Sequence, residues 1–368
     1  MINLYKFKKK VNFSSILTTG RTGSDYLHAC LDNVPGIVTF SGSFFYYEFI
    51  RNLEKKIENY RPETLLNIFI KKNKHLFYTD KIENKKINLN LKKFKKIFVK
   101  IANYNHHNKI NFFLSLYLSY HLMFNKNHRN IKTIIHHSHH TEETKNFLKD
   151  FKNASVLITV RDPRANLKSG ILNWIKYDPS KENAEHFLFY LKRIREDLVF
   201  AFKVKKKLFV KLEEANFKKT KRRILKFLKV NYHKNFEIAT FLRKSWSGDK
   251  LSNFKDDKKG KFNEEVKNKD WNLFFSKKDK QVLNFIYYDY RVFGYNFNKI
   301  YFNSFLYFMI FSLMPLSFEK KLFSVDYLFN QHKYKKYKFL NLYFYLKRIL
   351  YFYYVLFDTM FSHINRKK

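Results

Sequence analysis

The chain has 368 residues, of which 45% are hydrophobic, so a sizeable core is possible and a disordered protein is excluded. Its net charge of +42 is only weak evidence for an anionic partner. The chain is rich in Lys, Asn, Ile, Phe and Tyr and has only 8 Gly and 5 Pro, a composition typical of an A/T-rich genome, so the charge follows from the genome composition regardless of function. No zinc-finger, basic-zipper or aromatic RNA-binding motif accompanies the charge, so we expect no nucleic acid partner. The single cysteine, Cys30, allows no intrachain disulfide and fits a reducing compartment.

A glycine-containing loop near the N-terminus is the first informative element. The β-type run Ser15–Thr19 leads into Gly20-Arg21-Thr22-Gly23-Ser24 and then into an apolar-periodic helix. This order places backbone N–H groups and a cation where a phosphate binds. The spacing and the Lys of the nucleotide-triphosphatase loop are absent, which argues against an ordinary kinase or ATPase. The pattern therefore predicts a P-loop-like cradle of another kind.

Strands and helices alternate along the middle of the chain. Strands are predicted at 15–19, 97–101, 131–135, 155–160 and 207–212, and an uncharged, buried helix at 111–124. With crossover helices between the strands, the predicted fold is α/β, a three-layer parallel sheet with a P-loop-like nucleotide-binding core. Ligands of such sheets bind beyond the carboxyl ends of the strands, where the loop lies.

A second anion motif follows the predicted strand at 155–160. Arg161 ends the strand, and Ser169 comes eight residues later on the next helix. A forked cation, a hydroxyl and the positive end of a helix can converge on one phosphate. The two motifs together strengthen the prediction of an anion site.

The two motifs resemble the cofactor motifs of sulfotransferases that use 3′-phosphoadenosine 5′-phosphosulfate. The resemblance implies that Gly20, Arg21, Thr22, Gly23 and Ser24 bind the 5′-phosphosulfate, and that Arg161 and Ser169 bind the 3′-phosphate. Weaker similarities extend it over roughly residues 14 to 296; they lie at 31–36, 210–214, 224–228, 246–249 and 292–295. The implied activity is that of a bacterial-type transferase that moves a sulfuryl group to a hydroxyl of a carbohydrate, a lipid or another metabolite.

Arg21 is our candidate for stabilising the bridging oxygen of the donor, since sulfuryl transfer builds negative charge on the leaving group. His137 or His139, within His136-His137-Ser138-His139-His140, is the candidate general base, because alternation places these two on one side and neutral imidazole is basic enough at physiological pH. Glu48 is the second candidate, by similarity to members that use a carboxylate. Metal binding by the histidines is the less favoured interpretation, because their spacing matches no recognised site, and we expect no metal.

Asp25 departs from the family pattern, which has Thr at this place. We expect its side chain to face outward and to interact favourably with the dipole of its helix. The alternatives are a damaged cradle or a base for the acceptor.

The segment 297–368 differs from the region 1–296, which we predict to be the catalytic domain. Residues 301–368 carry 11 Lys and Arg against 3 acidic residues, a net charge of +8, together with many aromatics. Such a helical, basic and aromatic extension suits the surface of an anionic membrane. The alternative is an appendage packed on the catalytic domain. Because no signal peptide or N-terminal anchor is recognised, we expect a cytoplasmic enzyme, peripheral at the inner membrane face.

Three other functions stay open at this level: a non-catalytic relative that binds the nucleotide, a glycosyltransferase or kinase on a similar sheet, and a basic structural protein. We also expect the Lys-rich residues 250–270 to form a loop that covers the nucleotide.

Overall fold

The computed structural model describes residues 2–40, 42–53, 59–82, 85–125, 127–178, 182–246, 248, 260–262, 264–267, 270–324 and 340–365. They form two compact units. The first comprises Met1–Thr18, Thr22–Val160 and Phe200–Val266, and the second comprises Thr19–Arg21, Arg161–Val199 and Lys267–Lys368. Most of the predicted covering loop at 250–270 lies outside the described residues, as do Ser247 and Asp249 of the weaker similarities.

The first unit contains a five-stranded parallel sheet with the strand order β2-β5-β1-β6-β7. In chain order the described strands are β1 (Asn12–Thr18), β2 (Ile37–Val38), β3 (Tyr78–Ile82), β4 (Lys85–Asn88), β5 (Thr133–Ser138), β6 (Ser155–Val160), β7 (Lys207–Lys211), β8 (Thr240–Phe241) and β9 (Lys244–Ser245). β3 pairs with β4 and β8 with β9, each antiparallel. The central strands β1, β5 and β6 are buried almost throughout, as parallel strands covered on both faces are.

The described helices are α1 (Leu4–Lys10), α2 (Ser24–Leu31), α3 (Tyr46–Arg51), α4 (Pro62–Lys72), α5 (Leu91–Ala102), α6 (Lys109–Phe124), α7 (Thr141–Asp150), α8 (Pro163–Tyr177), α9 (Ala184–Lys203), α10 (Lys218–Phe227), α11 (Trp271–Phe274), α12 (Lys277–Ile286), α13 (Phe302–Ser312) and α14 (Leu340–Asn365). In the first unit, α2, α7 and α10 contact strands of the sheet, and α5 packs on α6. The predicted α/β fold with a parallel sheet is confirmed.

The predicted strand at 97–101 is wrong, because these residues belong to α5. Phe94, Phe98 and Ile101 are buried at helical spacing, while the lysines between them are largely exposed. The fifth strand is instead the two-residue β2. The strand predicted at 131–135 lies at 133–138, which places His136 and His137 inside β5. The buried helix predicted at 111–124 is confirmed by α6.

The second unit has its own packing around α9 and α12. The hydroxyls of Tyr287 and Tyr290 donate to the backbone carbonyls of Leu191 and Ile194 on α9, at 3.1 and 2.8 Å. Arg348 on α14 is fully buried and pairs with Glu319 at 2.8 Å. In the described part of the C-terminal segment, α13 contacts α12 and α14, and Asp358 on α14 pairs with Arg195 on α9, so the segment packs on α9 and α12 within the second unit. Among the described helices, none combines the length and the apolar character that a membrane crossing requires.

Candidate functional site

The glycine-containing loop at residues 19–23 connects β1 to α2. Gly20 and Gly23 have φ of +107° and +73°, a region that residues with a Cβ rarely adopt. Gly23 is the N-cap of α2, and no side chain in the described chain caps this helix. The first backbone bond of α2 runs from the N–H of Leu27 to the carbonyl of Gly23 at 3.0 Å, so the N–H groups of Ser24, Asp25 and Tyr26 precede it. This is the local geometry that binds anions at helix N-termini.

Thr22 anchors the loop to the sheet through its hydroxyl. Its Oγ1 shares hydrogen bonds with Thr18 Oγ1 at 2.8 Å and with Thr159 Oγ1 at 2.6 Å, and all three side chains are buried. Thr18 and Thr159 are paired in register on β1 and β6. The side chain of Thr22 is therefore engaged in holding the loop to the two strands.

Asn166 links the second motif to the loop, and the sequence analysis missed it. Its Nδ2 donates to the carbonyl of Thr19 and its Oδ1 accepts from the N–H of Arg21, both at 2.6 Å. The side chain is fully buried. A Cβ on Gly20 would lie 2.7 Å from Asn166 Oδ1, so this approach also requires glycine at position 20. Asn166 therefore holds the backbone of Arg21 from the first turn of α8.

Arg161 and Asp162 connect β6 to α8. Asp162 is the N-cap and accepts from the N–H of Arg164 at 3.0 Å, with Pro163 as the first helical residue. Arg161 and Ser169 are both half-buried, and Ser169 accepts a hydrogen bond from Asn173 Nδ2 at 3.1 Å. Both belong to the second unit together with Arg21.

Arg164, by contrast, has a structural role. Its guanidinium pairs with Asp162 at 2.7 Å and lies 4.0 and 4.5 Å from the ring centroids of Trp271 and Phe297. Trp271 is itself buried and its ring packs on this cation, so the indole does not offer a stacking surface to the base of a nucleotide. Arg161, the other arginine of the motif, is half-buried, whereas Arg164 is buried.

The two candidate histidines and Asp25 form one cluster in the first unit. Asp25 Oδ1 lies 3.8 Å from His137 Nδ1 and 3.5 Å from His139 Nε2, and the two imidazole ring centroids are 4.5 Å apart. The predicted common side of His137 and His139 is therefore confirmed. The expectation that Asp25 faces outward is wrong, because its carboxylate turns to the two rings.

The members of this cluster differ in accessibility. The side chain of His137 is 1% exposed, whereas those of His139 and Asp25 are 26% and 32% exposed. Burial, followed by the neighbouring rings of His139 and His28, holds the pKa of His137 well below its usual range. His137 is thus neutral at physiological pH and shielded from a substrate, while His139 is accessible.

His136 and Glu48 lie away from this cluster. His136 Nδ1 hydrogen-bonds the hydroxyl of Tyr117 at 2.9 Å, and its Nε2 is 3.5 Å from Glu143. Glu143 accepts from the N–H groups of Tyr47 and Glu48, at 3.1 and 2.8 Å, and so caps α3. The Glu48 side chain is exposed on α3, and the carboxylate that contacts the histidines is Asp25.

Three sulfotransferases are among the solved structures that are similar to this chain. The sulfotransferase domain from the Synechococcus PCC 7002 olefin synthase has 15% sequence identity and a TM-score of 0.46, over 78% of this chain and 97% of that one. The sulfotransferase domain from the curacin biosynthetic pathway has 12% identity and a TM-score of 0.48, over 78% and 99%. Sulfotransferase STF9 from Mycobacterium avium has 13% identity and a TM-score of 0.34, over 62% and 66%.

No family model and no curated protein sequence matches the chain. With identities of 12–15%, the structural likenesses concern the fold, and the reaction has to be inferred from the residues of this chain.

Proposed function

We propose that the chain is a sulfotransferase that uses 3′-phosphoadenosine 5′-phosphosulfate. The observation that carries this proposal is Asn166, which lies between Arg161 and Ser169 in the second motif and hydrogen-bonds Thr19 and Arg21 of the first. One buried side chain thus fixes the backbone of one anion motif to the helix of the other. Two unrelated loops would not need such a connection.

In this proposal the two motifs supply binding groups to the two charged ends of the donor. The N-terminus of α2, with Gly23 and Ser24, offers N–H groups and a hydroxyl to the 5′-phosphosulfate, and Gly20 and Arg21 belong to the same loop. Arg161 and Ser169 offer a fork of N–H groups and a hydroxyl to the 3′-phosphate. The high net positive charge attracts a polyanionic nucleotide in addition.

The donor supplies a sulfuryl group whose bond to the bridging phosphate oxygen breaks as the acceptor oxygen bonds to sulfur. In this scheme the guanidinium of Arg21 stabilises the charge on the departing oxygen. His139 Nε2 takes the proton of the acceptor hydroxyl, and Asp25 stabilises the imidazolium that results. The products are a sulfate ester and adenosine 3′,5′-bisphosphate.

His139 is preferred over His137 and Glu48 as the base on physical grounds. A base must reach the acceptor, and His137 is almost fully buried. Glu48 is exposed, but the carboxylate beside the histidines is that of Asp25. In this proposal Asp25 supports the chemistry as a partner of His139, in place of the alternative in which it damages the cradle.

An aromatic ring beside His139 suits a carbohydrate acceptor. Phe45 stacks on His140 with ring centroids 5.0 Å apart, lies 6.2 Å from His139, and is partly exposed. Sugar rings pack their C–H faces on such aromatic surfaces, with the hydroxyls directed to polar neighbours. We therefore favour a carbohydrate or a glycolipid as the acceptor class.

The C-terminal helices present an apolar surface that fits attachment to an anionic bilayer. Large apolar side chains are exposed along one face of α13 and one face of α14. They are Phe302, Leu306 and Ile310 on the first, with Leu313 directly after its end, and Leu346, Leu350 and Phe357 on the second. The two helices contact each other, so these exposed apolar side chains lie in the same part of the second unit. Exposed apolar side chains together with the net positive charge of residues 301–368 are typical of helices that lie in the interface of an anionic membrane.

Turnover of the donor tests the function. The purified chain, incubated with the donor and a set of sugar and glycolipid acceptors, should release adenosine 3′,5′-bisphosphate and a sulfated product. His139→Ala should lower kcat by about a hundredfold or more, the scale of general-base loss, and leave donor affinity near wild type. Glu48→Gln is the matched control and should have little effect.

Activity that survives His139→Ala but is lost with Glu48→Gln would contradict the assignment of the base. Tight nucleotide binding without turnover on any acceptor would favour a non-catalytic relative.

A further inference from the structure

Three metal-ligating side chains meet in the first unit. One oxygen of Asp25 and one nitrogen each of His137 and His139 lie within 4.8 Å of one another. The residues come from separate elements: Asp25 from the first turn of α2, His137 from β5, and His139 from the residues that follow β5. A carboxylate and two imidazoles are a donor set that zinc and related transition metals bind.

His137 provides an independent sign that a ligand is expected here. Its side chain is 1% exposed, and neither ring nitrogen has a hydrogen-bond partner within the described part of the chain. Buried polar atoms are nearly always satisfied, and leaving one without a partner costs roughly 1–3 kcal/mol.

We propose that Asp25, His137 and His139 bind one divalent transition-metal ion of the zinc type. In tetrahedral coordination with metal–ligand bonds of about 2.0–2.1 Å, ligand atoms are separated by roughly 3.3 Å. The observed separations of 3.5 and 3.8 Å from Asp25 Oδ1 need to close by a few tenths of an ångström, and the two histidine nitrogens, which lie within 4.8 Å of each other, by at most about 1.5 Å. Asp25 and His139 are partly exposed, so an ion can enter from solvent and keep one position open for water.

His28 is a neighbour of this site and not one of its ligands. Its ring centroid lies 4.7 Å from that of His137, and its Nε2 hydrogen-bonds Thr39. The ring of His28 therefore packs against that of His137, while its Nε2 is engaged with Thr39.

The metal and the acceptor proton would compete for the same atom, His139 Nε2. Occupancy by zinc should therefore inhibit the proposed sulfuryl transfer, and removal by a chelator should restore it. Metal binding itself does not depend on the proposed function, because it needs only the three side chains. The inference can therefore be tested on a protein that shows no turnover.

The test is a titration of the full, tag-free chain after chelator treatment. Calorimetry with Zn²⁺ should show one site per chain with a Kd in the micromolar range or tighter, and Co²⁺ should give the visible absorption of a tetrahedral complex. Asp25→Asn and His139→Ala should each weaken binding at least tenfold. Both residues are partly exposed, so these variants should fold, which thermal unfolding in chelator verifies.

His140→Ala is the matched control, since His140 adjoins the cluster in sequence but is not one of its three ligands. It should bind Zn²⁺ like wild type. Absence of a one-to-one site in wild type, or unchanged affinity in both Asp25→Asn and His139→Ala, would overturn the proposal. Titration of the same samples with adenosine 3′,5′-bisphosphate reports the nucleotide site separately, so failure of one proposal is distinguishable from failure of the other.

Discussion

Replacing Asn166 by Ala should loosen the loop that carries Arg21. The substitution removes the two 2.6 Å hydrogen bonds to Thr19 and Arg21, in a place where the side chain is fully buried. A hydrogen bond contributes roughly 0.5–1.5 kcal/mol, and a buried partner left unsatisfied costs roughly 1–3 kcal/mol. We therefore expect the free energy of unfolding to fall by about 2–4 kcal/mol.

The same substitution should weaken nucleotide binding, because the backbone of Arg21 is no longer held in place. A loss of about 1.4 kcal/mol in binding free energy corresponds to a tenfold rise in Kd. We expect at least that rise for adenosine 3′,5′-bisphosphate, measured by calorimetry beside denaturant unfolding of the same preparation.

Asn105→Ala is the control for stability alone. Asn105 is half-buried; it accepts from the N–H of Leu4 at 2.8 Å and donates to the carbonyls of Ile2 and Ile101 at 3.0 and 2.7 Å. Its replacement therefore also removes side-chain hydrogen bonds to the backbone, but none of them involves a residue of the loop. It should unfold more easily and still bind the nucleotide like wild type. If Asn166→Ala behaved in the same way, the idea that Asn166 organises the nucleotide loop would be refuted.

Three further predictions concern the loop, acid stability and the C-terminal helices. Gly23→Ala should lower both stability and nucleotide affinity, because φ is +73° and the added Cβ would overlap the side chain of Leu212; equal affinity to wild type would contradict this. Burial lowers the pKa of His121 to about 4 from 6.5, so the unfolded chain takes up a proton first and stability falls as the pH drops below about 6.5. Between pH 7 and 5 the protonation of His121 should lower the free energy of unfolding by about 1–2 kcal/mol. In His121→Gln, denaturant unfolding should show a fall between these pH values that is smaller by that amount. Leu350→Glu, at a residue that is 68% exposed, should reduce sedimentation with anionic liposomes, whereas Leu273→Glu on α11, 94% exposed, should not; equal effects would point to nonspecific attraction.

The parts of the fold that the sequence predicts are those with local patterns. β6 is a continuous apolar run followed by Arg161, and α6 is a long uncharged segment, so both are readable from neighbouring residues. The error at α5 came from the short window 97–101, whose apolar residues resemble a strand unless the spacing from Phe94 is included. The two-residue β2 is too short to show the alternation of apolar and polar residues by which a strand is predicted from sequence.

The candidate site can be predicted only in part, because some of its contacts join residues that are far apart in the sequence. Alternation places His137 and His139 on one side, but nothing local indicates that Asp25 meets them, because that contact depends on how α2 lies against the sheet. Asn166 carries no signature either. An Asn in the first turn of a helix is ordinary, and its role arises only from the packing of that helix against Thr19 and Arg21.

The central claim, that the chain binds a nucleotide with phosphates at both ends, is tested most directly by comparing adenosine 3′,5′-bisphosphate with adenosine 5′-monophosphate in calorimetric titrations. A charged contact to the 3′-phosphate is worth roughly 1.5–3 kcal/mol, so wild type should prefer the bisphosphate by about tenfold to a hundredfold. Arg161→Ala should abolish the preference, while Arg129→Ala, at an exposed arginine outside both motifs, should retain it. Equal affinity of wild type for the two nucleotides, or an undiminished preference in Arg161→Ala, would contradict the account.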